Sequence, residues 1–233
     1  MSVRLDKYLT MSAAYSRKEA KQLIIRGQIS VNGEIVKKPE VKIDENHALV
    51  TLKGETISYE SHVYYMLNKP AGVISATVDV NETTVTELIH EESRDIFPVG
   101  RLDKDTEGLV LLTDDGGLAH RLLSPKRHVE KEYYVEVNDV LTDDDVRLFK
   151  EGIDIGEKNI TMPAQLEIIS EKSANVTICE GKFHQIKRMF QKAGKRVTYL
   201  RRIRMGTITL DAGLKSGEYR RLTEQEIQIL KCL

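Results

Sequence analysis

The apolar positions of this chain recur at two periods, 3.6 and 2, in short blocks that follow one another from the first residues. In "RLDKYLTM" Leu5 and Leu9 stand four apart, on one face of a short helix. In "YSRKEAKQLIIRGQISVNGEIV" Ser16 and Glu19 have capping-box spacing, which opens a second helix with Ala20, Leu23 and Ile24 on one face and Gly27 as its stop. Arg17, Lys18, Lys21 and Arg26 fall off that face. "QISVNGEIV" then alternates about Asn32-Gly33, a hairpin signal. Residues Lys53 to Ser61 read as a joint, and "VYYMLNKPAGVISAT" beyond it as a strand, a Lys-Pro-Ala-Gly turn and another strand. "GLVLLT" is a continuous apolar run, suited to a strand buried on both faces. "EKEYYVEV" alternates, with Tyr133, Val135 and Val137 inward and Tyr134 and Glu136 on the other face. In the block that starts "EGKFHQIKRMF", Ile186, Met189, Phe190 and Ala193 make a packed helical stripe, from which Lys187 and Arg188 project elsewhere.

Composition bounds this pattern. A chain of 233 residues holds one large domain, or an ordinary domain with a small appendage, and either buries a real core. With 40% hydrophobic and 30% charged residues and 5 prolines it is neither a disordered tail nor a fibrous repeat. "MSVRLDKYLTMSAAYSRKEAK" lacks the apolar centre of a signal peptide, and no stretch approaches the ~20 apolar residues of a membrane span, so a cytoplasmic protein without membrane association is expected. Cys179 and Cys232 have no ligand-like spacing and read as reduced, structural or incidental thiols.

Charge changes the picture more. The formal net charge is only -1, but Gly181 to Gly206 carries nine Lys or Arg and no acid, and Met1 to Lys42 carries nine basic against four acidic residues. A single charge run is ordinarily a solvated face; two separate runs of this density favour a polyanionic partner. Acidic stretches such as "NDVLTDDDV" are then expected away from any phosphate backbone.

The chemistry concentrates in "GRLDKDTEGLVLLTDDGG", where Asp103, Asp105, Glu107 and Asp114 crowd a stretch that should be buried. A calcium loop fails: Asp103, Asp105, Glu107 and Gly108 fit positions 1, 3, 5 and 6, but Asp114 stands where a bidentate Glu belongs and Phe97-Pro98-Val99-Gly100 cannot supply the entering helix. A solvated turn before a core strand is the plain structural alternative. A third reading makes Asp103 a catalytic carboxylate held by rigid backbone. Lys69, before Pro70, reads as a structural or phosphate-contacting lysine.

Two resemblances bear on these readings. The order "RLDKYL", "SRKEAKQLI" and "GQISVNGEIV" resembles the S4 domain, a small RNA-binding module, over about residues 3 to 50. "GRLDKDTEGLVLLTDDG" resembles the signature of the pseudouridine synthases of the ribosomal small-subunit type, followed in order by "EKEYYVEV", "EGKFHQIKRMF" and "GEYRRLTEQEI". The resemblance implies an α+β fold: a small N-terminal S4-like RNA-binding module with its joint at 1–60, then a catalytic domain at 61–233 with a largely antiparallel mixed sheet and a cleft across it.

By the same resemblance Asp103 is the essential carboxylate, Lys187 its basic partner and Tyr133 the ring that stacks on the uracil and takes part in the closing proton transfer. Leu222 packs against the pocket, and Arg101 fills the space the target base vacates. The RNA contacts it implies are Arg4, Lys7, Arg17, Lys18, Lys21 and Arg26 in the first module, and Lys69, Lys131, His184, Gln185 and Arg188 in the second. The implied reaction isomerises a uridine of ribosomal RNA. One carboxylate suffices because no group leaves the enzyme, whereas a typical glycosidase uses two. Asp103 attacking C1′, adding at C6 or taking the C2′ proton all remain open. No cofactor or metal is implied, and a monomer is expected. Because the chain stops at Leu233, without the long basic tail of the large-subunit branch, 16S rRNA is favoured over 23S rRNA. The competing readings are a non-enzymatic S4-type RNA-binding protein and an RNA N-glycosidase using Asp103 and Glu107.

Overall fold

In the computed structural model, which describes residues 2–12, 15–45, 47–57, 62–90 and 95–232, the chain divides into two compact units. The first holds residues 1–63 with 91–95, the second 64–90 with 96–233. Each follows from the local signals above.

In the first unit β1 (Ser2–Arg4) runs straight into α1 (Leu5–Met11). Ser16 caps α2 (Arg17–Ile25): its hydroxyl accepts from the Glu19 N–H, and the Glu19 carboxylate accepts from the Ser16 N–H at 2.9 Å. This reciprocal arrangement satisfies two groups that a bare helix end would leave without partners. β2 (Ile29–Val31) and β3 (Glu34–Ile35) form the hairpin, with Asn32 at φ 51 and Gly33 at φ 87, the two positive values a type I′ turn needs. β4 (Lys42–Asp44) pairs with β1, and β5 (Val50–Leu52) and β6 (Glu55–Thr56) complete a second sheet in the order β3-β2-β5-β6. Leu5, Tyr8 and Leu9 of α1 pack with Ala20 and Ile24 of α2 and with Ile29 and Val50 below them. Of the expected joint, Lys53 to Ile57 belongs to this unit, since Ile57 is buried and its N–H donates to Val50 O at 2.8 Å. Residues 58–61, and with them the division at 60/61, lie outside the described residues.

The second unit is built on β7 (Tyr64–Lys69), β8 (Phe97–Pro98), β9 (Glu107–Thr113), β10 (Lys131–Val137), β11 (Gln165–Ser170), β12 (Ser173–Ile178), β13 (Val197–Met205), β14 (Ile208–Thr209) and β15 (Tyr219–Arg221). Among the described residues these form one sheet in the order β11-β12-β10-β13-β9-β7-β15, with β14 on β13 and β8 on β9. Every pair is antiparallel except β13 with β9. The "GLVLLT" run lies in β9 and is buried throughout, and β10 buries Lys131, Tyr133, Val135 and Val137 on one face. Helices α3 (Gly116–Leu123), α4 (Asp143–Glu151), α5 (Gln185–Lys192) and α6 (Glu224–Cys232) complete the unit. Leu118 and Leu122 of α3 and Leu230 of α6 pack on Met66, Leu109 and Leu111 of the sheet, while Phe190 of α5 meets Phe149 of α4 with ring centroids 4.7 Å apart.

The strand expected after Lys-Pro-Ala-Gly does not form. Among the described residues only one isolated bridge, Ile74 to Thr84, forms there: the Ile74 N–H donates to Thr83 O and the Val85 N–H to Ile74 O, each at 3.0 Å, while the turn before it is tied to the Asp103 loop by the Gly72 N–H on Lys104 O at 2.8 Å.

Candidate active site

Asp103 owes its position to backbone pinned on both sides. Ahead of it, the Ser75 hydroxyl accepts from the Leu102 N–H at 3.0 Å and donates to Leu102 O at 3.1 Å. Behind it, the Thr106 N–H closes a turn on Asp103 O at 3.1 Å, and β9 begins. Beneath the loop Lys69 is fully buried, and its ammonium donates to Pro70 O (3.0 Å), Lys104 O (3.2 Å) and Thr106 O (2.8 Å). These three acceptors match the three protons of an ammonium group.

The Asp103 side chain faces a pocket lined by Arg101, Thr106, Tyr133, Ile178, Lys182, His184, Ile186, Lys187 and Leu200, among others. One carboxylate oxygen lies 2.9 Å from Lys187 Nζ and the other 3.5 Å from His184 Nε2. Lys187 also donates to Asp105 at 2.5 Å. Burial pulls the Lys187 ammonium towards deprotonation, but its hydrogen bonds to Asp105 and Asp103 outweigh that and hold its pKa above the ordinary lysine value. The Lys187 hydrogen bond likewise holds Asp105 below the usual carboxylate range. A partly buried carboxylate facing a fixed cation, in a pocket with an inward tyrosine and apolar walls, can act as nucleophile or base on a planar ring. Among the described residues no group of His, Cys, Asp and Glu is placed to hold a metal ion.

Residues 63–192 match the RNA pseudouridylate synthase family and residues 3–49 match the S4 domain. The chain belongs to the RNA pseudouridine synthases. It is 45% identical to the RNA pseudouridine synthase YtzG of Bacillus subtilis, over 98% of each chain. It is 44% identical to ribosomal small subunit pseudouridine synthase A of Vibrio cholerae, over 97% of this chain and 98% of that one. It superposes on a crystal structure of a pseudouridylate synthase with a TM-score of 0.70 and 40% identity, over 98% of this chain and 99% of that chain. The S4-like motifs fall within residues 3–49 and the first three synthase motifs within residues 63–192, whereas "GEYRRLTEQEI", at 217–227, lies beyond the family match.

In this synthase the pocket brings together Arg101, Asp103, Tyr133, His184, Gln185 and Lys187 from the predicted residues. Arg101 is exposed at its rim, with no protein partner among the described residues, and Tyr133 is buried against it. Several of the predicted RNA contacts are corrected. Lys69 is buried under the loop that bears Asp103, and burial lowers its pKa to about 8. Lys131 is buried with its ammonium on Val129 O at 2.9 Å, and burial, followed by the nearby Arg202, depresses its pKa. Gln185 is buried, bonds Glu180 and the Lys182 N–H, both at 2.9 Å, and forms part of the pocket wall. Arg188 is engaged by Glu157 at 2.8 Å, by Phe183 O at 3.0 Å and by Ile155 O. Leu222 lines no part of this pocket; it lies in the core cluster with Tyr64 and Met66, because β15 is tied to β7 there.

The basic run from Gly181 to Gly206 is also corrected: much of its charge is internal. Lys195 pairs with Asp145 at 2.7 Å, Arg204 with Glu130 and Glu132 at 3.0 and 2.7 Å, and Arg202 is buried with Nε on Leu109 O. Asp145 comes from the very stretch "NDVLTDDDV" that was expected to stand apart. In the first unit Arg17, Lys18, Lys21 and Arg26 are exposed, and Arg4, Lys7, Arg17 and Lys21 surround one concavity, although Arg4 is held by Asp6 at 2.8 and 3.0 Å.

Sequence reasoning missed Ser75, Asp105, Ile178 and Leu200. Asp105 stood in the acid-rich signature, and its two-residue spacing from Asp103 was the available signal. Glu107, the second carboxylate of the glycosidase reading, is bonded by the Tyr199 hydroxyl at 2.9 Å and does not line the pocket.

Proposed function

We propose that this synthase converts one uridine of small-subunit (16S) ribosomal RNA to pseudouridine, with Asp103 as the reacting carboxylate. The observation that carries the reading is the Asp103 carboxylate facing the pocket 2.9 Å from the Lys187 ammonium. The substrate choice is supported by the relatives of Vibrio cholerae and Escherichia coli, the latter 41% identical, both named ribosomal small subunit pseudouridine synthase A.

The target uridine leaves the RNA stack to reach the pocket, and Arg101, exposed at the rim, fills the vacated space. Tyr133 stacks on the uracil. The N1–C1′ bond breaks, the uracil turns, and C5 joins C1′; the C5 proton is lost and N1 gains one. Attack at C1′, addition at C6 and abstraction at C2′ all start from the Asp103 carboxylate, which Lys187 Nζ meets at 2.9 Å. Tyr133 serves the final proton transfer from C5. An rRNA substrate supports a cytoplasmic site of action.

The test incubates the protein with 16S and 23S rRNA transcripts, bare or partly assembled with ribosomal proteins, and maps pseudouridine by carbodiimide primer extension. A single new stop in 16S RNA is expected. Asp103→Asn should lower turnover by at least ~1000-fold with RNA affinity changed less than about threefold. A stop in 23S RNA overturns the substrate choice. No stop in either RNA would leave a non-enzymatic RNA-binding protein.

A further inference from the structure

Phe183 is held in the open beside the pocket. Of the chain's 4 phenylalanines, Phe149 and Phe190 are fully buried and Phe97 is half-buried, whereas Phe183 is 72% exposed. Single exposed apolar side chains are common and ordinarily need no explanation. Three features separate this one from the ordinary case.

First, its ring lies on the His184 imidazole with centroids 3.8 Å apart and an interplanar angle of 19°, close to the geometry of stacked bases. Second, His184 lies 3.5 Å from the Asp103 carboxylate, so the outer face of Phe183 is one ring removed from the reacting group. Third, the loop that carries both rings is braced. The Arg188 guanidinium donates to Phe183 O at 3.0 Å, the Gln185 N–H to Lys182 O at 3.2 Å, and the Lys182 ammonium to Asn159 O and Ile160 O, each at 2.8 Å. His184 itself sits at φ 49, a left-handed conformation that a non-glycine residue keeps only when its surroundings impose it. It precedes α5 but makes no capping hydrogen bond with its side chain. The bracing therefore maintains an apolar ring in water, parallel to a ring that touches Asp103.

We propose that Phe183, backed by His184, is a stacking platform for a nucleobase next to the target uridine in the RNA strand. The proposal rests on the synthase reading above and adds a residue that positions the RNA. Flipping a uridine out leaves its neighbour without a stacking partner, and an aromatic face beside the pocket restores one. Every base has a π-face, so the platform tolerates sequence and acts on affinity and register more than on the chemical step.

The experiment uses a hairpin RNA that spans the modified 16S site, with 2-aminopurine placed in turn at the 5′ and the 3′ neighbour of the target uridine. Binding is read with the full chain carrying Asp103→Asn, so that turnover does not blur it. Quenching of 2-aminopurine is expected at one of the two positions. Phe183→Leu, which keeps bulk without a π-face, should abolish the quenching and raise Kd on the order of tenfold, and Phe183→Trp should restore both. With Asp103 intact, Phe183→Leu should raise KM by a similar factor and leave kcat at saturating RNA within about twofold. Unquenched 2-aminopurine at both positions, together with a Leu variant that binds like the parent, would overturn the platform. Wild-type turnover of the unlabelled hairpin is scored alongside. Its absence overturns the synthase reading, whereas normal turnover with no quenching overturns the platform alone.

Discussion

Lys69 gives all three of its ammonium protons to carbonyl oxygens of its own turn and of the loop that carries Asp103. A lysine before a proline in a turn was legible in the sequence; its burial was not, because the acceptors belong to Lys104 and Thr106, more than thirty residues away. Burial lowers its pKa from 10.5 to about 8, which has a definite sign for stability. Between those values the unfolded chain holds the proton and the folded chain does not, so the unfolded state binds more protons and the contribution of Lys69 to stability rises with pH across that window. In denaturation experiments on wild type and Lys69→Met from pH 7 to 10.5, the stability difference should shift in favour of wild type by on the order of 1–3 kcal/mol, almost all of it above pH 8. A pH-independent difference would mean that the buried ammonium is not titrating.

At the scale of elements, the parallel contact between β9 and β13 fixes where the Asp103 loop ends and the sheet begins. Gly108 stands at that contact with φ 98, and a Cβ there would lie 2.2 Å from Arg202 O. Alanine has no room and a strained backbone, so Gly108→Ala should cost at least ~2 kcal/mol by denaturant midpoint. It should also lower kcat by more than the loss of folded protein explains, because the loop that bears Asp103 joins β9 one residue earlier, at Glu107. The capping box at Ser16, the Asn32-Gly33 turn and the buried strand at "GLVLLT" were all legible, since each depends on residues within a few positions of one another. The pairing of β1 with β4 and the loss of the strand after Lys-Pro-Ala-Gly were not. Both involve hydrogen bonds between backbone groups far apart in the chain.

Over the whole molecule the net charge of -1 conceals two different uses of basic residues. Those between Gly181 and Gly206 largely pair with acids or carbonyls of the second unit. In the first unit Arg17, Lys18, Lys21 and Arg26 are exposed and form no salt bridge among the described residues. These are the cations available to phosphates. Arg17→Ala with Lys21→Ala should weaken rRNA binding and reduce the slope of log Kobs against log salt by roughly 1.5. Filter binding at several salt concentrations measures this, and an unchanged slope would remove the α2 face from RNA contact.

The sequence by itself determined the family, the signature that carries Asp103 and most local elements, because signature spacing, helix caps and strand alternation are short-range properties of the chain. Only the tertiary structure decided which charged side chains are free and which are consumed internally. Lys69, Lys131 and Arg188 carry the same charge as Lys187, yet they lie under the loop, inside the sheet and against a neighbouring loop. It likewise set Leu222 in the core and Phe183 in the open. The physical reason is common to all of them. Burial and partner choice are set by elements far apart in the chain, and a polar group taken from water keeps its place only where the fold supplies a partner.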